Sequence, residues 1–110
     1  MFENKIENLE KEINSNTNIS SEKKEELIGL INKLKSELAD LPSDNVEKAK
    51  SLVNFTESLT HEATREEPNS ELTNISLKAL ELSIKEFEVS HPQLTSTINS
   101  ISEMLSRIGI

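Results

Sequence analysis

Two histidines, at 61 and 91, are the side chains of this 110-residue sequence best suited to proton transfer or metal binding near neutral pH. His61-Glu62-Ala63-Thr64-Arg65 comes within one residue of the zinc-protease pattern H-E-x-x-H. In that pattern two imidazoles one helical turn apart grip the metal, and the glutamate acts as base. Here Arg65 stands where the second imidazole is required, and one imidazole on a helix face does not hold zinc. The segment reads as a solvated polar turn. His91 could serve as a general base or a pH switch. There is no cysteine for it to activate, and no serine carries a nucleophile motif. A histidine just ahead of Pro92 reads instead as a helix cap or a seam filler. The carboxylates of Glu7 and Glu10, and of Glu22, Glu25 and Glu26, have lysine neighbours and read as solvated faces. Gly29 and Gly109 make no phosphate loop. The sequence assigns no catalytic, cofactor-binding or metal-ligating residue, and an enzyme is not expected.

The elements that would position these residues are helical. Phe2, Ile6, Leu9 and Ile13 step by helical intervals, and the polar run 14–18 ends that stripe by competing for backbone hydrogen bonds. Ser20 or Ser21 is placed to cap a second helix. Its stripe is Leu27, Ile31, Leu34, Leu38 and Leu41, and Pro42 stops it. The short loop makes these two helices an antiparallel hairpin. A third helix, capped by Ser43 or Asp44, carries a less regular face through Val46, Ala49, Leu52, Val53, Phe55, Leu59 and Ala63. It is the element expected to be mobile. A fourth segment begins near Ser70, with Leu77, Leu80, Ile84 and Phe87 in register. Leu94, Ile98, Ile101, Leu105 and Ile108 continue that register past Pro92.

Proline in mid-pattern either kinks one helix or separates two. Residues before proline avoid helical dihedrals, so we expect a sharp bend between two helices at His91-Pro92, with Ser90 or His91 as cap. A full reversal is not expected in so few residues. At the other end, Gly109 as a left-handed residue after the helix would let Ile110 reach back to Leu105 in a Schellman arrangement.

Residues 89–102 contain no Asp, Glu, Lys or Arg, although 29% of the chain is charged. Either this helix is central in its own chain, or it forms an interface whose centre is depleted of charge. The anchors in the second reading are Leu94, Ile98, Ile101 and Leu105. An apolar fraction of 34% in a small chain leaves a thin core and favours a second copy or a partner.

The net charge of −8 is spread evenly, −3 over residues 1–42, −3 over 43–69 and −2 over 70–110. No basic patch is present, which disfavours nucleic acid and anionic membranes as partners. No apolar run approaches the ~18 residues of a membrane span. The N-terminal MFENKIENLEKE has no signal-peptide core, and a cytoplasmic location is expected.

Phe87-Glu88-Val89-Ser90-His91-Pro92-Gln93-Leu94, with the ending Leu105-Ser106-Arg107-Ile108-Gly109-Ile110, resembles domain-of-unknown-function family 4404. Its members are short, acidic, helical bacterial proteins. The resemblance is specific over the C-terminal third, whereas residues 1–42 match in pattern only. Residues 43–69 look like an added helical segment. The resemblance implies a bacterial cytoplasmic protein in which His91, Pro92, Gly109 and Ile110 belong to a shared structural device. It brings no activity, site or cofactor.

The expectation is therefore a single all-α domain, an antiparallel bundle of four to five amphipathic helices. It comprises a hairpin over 1–42, a helical segment over 43–69 and bent helices over 70–110. Its expected function is non-enzymatic interaction or scaffolding. The partner is another copy, most simply in a dimer, or an unknown protein. The alternative is an acidic inhibitor or nucleic-acid mimic that binds a basic partner.

Overall fold

The structure, a computed structural model, describes residues 2–87 and 89–109. Among them the chain forms five α-helices and one 3-10 turn, with no strand. The helices are α1 (Glu3–Ser15), α2 (Ser21–Ala39), α3 (Val46–Ala63), α4 (Ser70–Lys85) and α5 (Pro92–Gly109). The all-α bundle expected from the apolar spacing is the fold observed.

Local chemistry sets most boundaries. Ser20 caps α2 by accepting a hydrogen bond from the Lys23 amide, which satisfies one of the first-turn N–H groups. Asn69 caps α4 more fully, accepting from both Glu71 and Leu72. Asn16 ends α1, and its side-chain amide donates to the Thr64 carbonyl at 2.6 Å, tying the end of α1 to the end of α3. Ser43 and Asp44 do not cap α3. They lie in the 3-10 turn Ser43–Asn45, closed by the Asn45 amide on the Pro42 carbonyl, and Asn45 precedes the helix. The extended backbone of Pro42 leaves room for one tight turn before the α-helix begins.

The core is one continuous cluster. Ile6, Leu9 and Ile13 enter it from α1, and Leu27, Ile31, Leu34 and Leu38 from α2, all fully or nearly fully buried. α1 and α2 form the expected antiparallel hairpin. Lys24 donates to the Asn14 carbonyl at one end, while Phe2 and Glu3 share a surface cleft with Leu38 and Ala39 at the other.

α3 is central, not peripheral. It packs against α1, α4 and α5. Its inward face is Leu52, Thr56, Leu59 and Ala63, flanked by Ala49, Val53 and Thr60, whereas Phe55 lies half out of the core at 36% exposure. The sequence stripe misplaced Phe55 because threonine reads as polar. Here each buried hydroxyl bonds to the carbonyl four residues back, Thr56 to Leu52, Thr60 to Thr56 and Thr64 to Thr60, at 2.6–2.8 Å. A hydroxyl satisfied in that way can be buried without a large penalty.

Pro92 separates two helices and occupies the first position of α5, where its missing N–H is not needed. The chain turns further there than a corner. The start of α5 lies beside Glu37, Asp40 and Leu41 at the end of α2, and residues 100–107 lie beside Glu26, Gly29 and Leu30. α5 therefore runs antiparallel to α2. α4 runs back along α3, and the connection through residues 86–91 returns the chain as a second hairpin. The His91 amide bonds to the Phe87 carbonyl at 2.8 Å and the Thr95 amide to the His91 carbonyl at 3.2 Å, so the reversal is held by backbone hydrogen bonds at both ends. The Cα radius of gyration is 13.0 Å, close to the ~13 Å of a compact chain of this length.

Candidate functional site

The residues singled out on α5 belong to the monomer's own core. Leu94, Ile98, Ile101 and Leu105 are each 2% exposed or less. Thr95, Thr97 and Ser102 are buried as well. Their hydroxyls donate to the carbonyls of Pro92, Gln93 and Asn99. α5 packs against α2, α3 and α4, and a helix with three neighbours has little face left for charge. This accounts for the inward-facing part of the uncharged run at 89–102, while Val89, Ser90, Pro92, Gln93, Ser96 and Asn99 are exposed.

His91 is half-buried at the reversal. Its Nε2 lies 2.8 Å from Asn45 Nδ2. The contact is a side-chain hydrogen bond between the amide and the imidazole. The ring leans on Phe87, with centroids 5.9 Å apart and planes tilted by 52°. His91 thus clips the α4–α5 connection to the start of α3. Ser90 and Pro92 are exposed beside it. Gly109 is the last helical residue of α5, and Ile110, with the C-terminal closure expected of it, lies outside the described residues.

A shallow cavity of about 320 Å³ opens at this corner, lined by Glu37, Asp40, Leu41 and residues 90–94. It brings an imidazole and two carboxylates to one place, the composition an acid–base site would need. Among the described residues, however, His91 makes no hydrogen bond to Glu37 or Asp40, and its Nε2 is committed to Asn45. Both carboxylate oxygens of Glu37 are buried without a hydrogen-bond partner.

His61 and its neighbours point apart. His61 Nδ1 reaches Glu12 of α1 at 3.2 Å, while Glu62 is held by Arg65 at 2.8 Å. No group of three or more metal-ligating side chains gathers among the described residues.

The exposed feature that sequence reasoning missed is on α4. Leu72, Ile75 and Leu82 are 39%, 65% and 61% exposed. With half-buried Ala79 they step by 3, 4 and 3, a second stripe beside the inward one through Leu80 and Ile84. At about 100° per residue its centre lies about 120° around the helix from Leu80. α4 packs chiefly against α3 and α5, which leaves this side uncovered. The signal was present in the sequence, but two adjacent stripes merge into one broad apolar helix until the packing divides them.

An all-α bundle of five helices, with an apolar stripe left outside, is thus the class of protein that the geometry defines. The chain belongs to the family described as Domain of unknown function (DUF4404), whose model matches residues 28–110. This is the family that the His91-Pro92 stretch resembled. The match runs through residues 43–69 and leaves residues 1–27 outside it. No curated protein and no solved structure matches the chain. Among the described residues no helix is long and apolar enough to cross a membrane.

Proposed function

We propose that this protein is a non-enzymatic helical interaction module whose contact surface is the outer face of α4. One observation carries the reading: Leu72, Ile75 and Leu82 stand exposed in a single helical stripe, although the same chain buries Leu94, Ile98, Ile101 and Leu105 of α5. Scattered exposed apolar residues need no explanation, but a continuous stripe does. The anchors first read on α5 are replaced by these. Self-association in a bacterial cytoplasm is the simplest setting for it, given the even acidic coat and the absence of cysteine. An acidic mimic that binds a basic partner takes second place, because its carboxylates would need to form a dense row.

A photo-crosslinking amino acid at position 75, introduced in the native host, tests the surface. Protein adducts should form from position 75 and not from exposed Lys11 on α1. Equal yields from both positions, or none from 75, would remove the reading.

A further inference from the structure

We propose that the occupant of the α4 face is a second copy of this chain, docked antiparallel about a two-fold axis near Leu77 and Lys78. The proposal rests on the reading of that face as a contact surface and adds the identity and register of the partner.

The charges beside the stripe select this arrangement. Glu71, Lys78 and Lys85 recur every seven residues along its solvent side, in the position that flanks a helix–helix seam. On the other side stand Ser76, half-buried, and Ser83, buried. A parallel pair would set the charged row against those serines, where no charge partner stands. In an antiparallel pair the row meets itself in reverse order. Glu71 of each copy then faces Lys85 of the other, and Lys78 faces its counterpart near the axis, where its flexible stem carries the ammonium out to solvent.

The apolar layers fit the same register. Leu72 lies opposite Leu82 of the other copy, and Ile75 opposite Ala79. The small alanine at the centre lets the two helices approach, and the larger leucines close the ends. The contact is isologous, so it closes at two copies and leaves no open end for further growth. With one helix contributed per copy the interface is small, and the dimer is expected to form in the micromolar range.

Charge reversal tests both partner and register, since Glu71 and Lys85 are exposed. Light scattering on purified protein up to high micromolar concentration should show a monomer–dimer equilibrium. Glu71→Lys or Lys85→Glu alone places like charges at two sites of the dimer, and each should weaken it roughly tenfold. An equimolar mixture of these two variants should recover association, because every Glu71/Lys85 position then meets its opposite charge. Ile75→Glu should give a monomer with unchanged circular dichroism.

A wild-type monomer at these concentrations would overturn the proposal. So would single variants that dimerise like the wild type, or a mixture no tighter than its components. A wild-type monomer together with position-75 adducts to another protein would sink the second copy and leave the interaction surface standing. A wild-type monomer with no adducts would sink both.

Discussion

At the scale of single residues, hydroxyls and amides do much of the work that a chain without tryptophan, tyrosine or cysteine gives to few other groups. Thr56 and Thr60 are 1% exposed or less and substitute for aliphatic side chains because their hydroxyls are satisfied within the helix. The side chains that cap helix N-termini are less replaceable. Asn69→Ala removes the acceptor for two first-turn amides and should cost about 1–2 kcal/mol in urea unfolding, more than Ser20→Ala with its single bond. Asn45 and His91 form a bond between elements far apart in sequence. A double-mutant cycle of Asn45→Ala and His91→Ala should return a coupling of about 1 kcal/mol, and additivity would show that the clip is not formed. The caps at Ser20 and Asn69 were close to legible, since small polar residues ahead of an apolar stripe mark a helix start. The Asn45–His91 pair was not, because no local pattern relates residues that far apart.

At the scale of elements, the helix over residues 46–63 shows how far a stripe can mislead. Its weak regularity suggested a loose segment, yet it packs against three others. An irregular face is what a helix with several neighbours presents, since no single direction is inward. α5 gives the complementary lesson, with a clean stripe whose Leu94, Ile98, Ile101 and Leu105 serve one private core. Ile98→Ala should lose about 2–5 kcal/mol, the range for a cavity at a fully buried aliphatic site, and Ile98→Glu should unfold the chain. Pro92→Ala should lose less than about 1 kcal/mol, because at the first helical position the ring only restricts the unfolded chain. A gain of several kcal/mol would mean instead that proline interrupts a helix that wants to continue.

At the scale of the whole molecule, one core cluster joins all five helices, so thermal unfolding should be a single transition by both circular dichroism and calorimetry. The family match begins at residue 28, but the core does not. Ile6, Leu9 and Ile13 are fully buried, each worth about 1.5–3 kcal/mol. Together they are a large share of the ~5–15 kcal/mol that holds a domain folded. A fragment of residues 28–110 is therefore expected to lose cooperative unfolding, and a sharp melting transition in that fragment would show that α1 is an accessory.

Local sequence settled the all-helical class and the stripes of α1 and α2 and pointed to a bend at Pro92, because periodicity, capping and proline geometry act over a few residues at a time. The residues Phe87 to Leu94 carried the resemblance that the family match bore out. Tertiary structure decided the rest. It turned the corner at His91 into a reversal, drew the seam of α5 inside and left the stripe of Leu72, Ile75 and Leu82 without a cover. A stripe states only that a side chain avoids water; which neighbour shields it depends on how every helix packs at once.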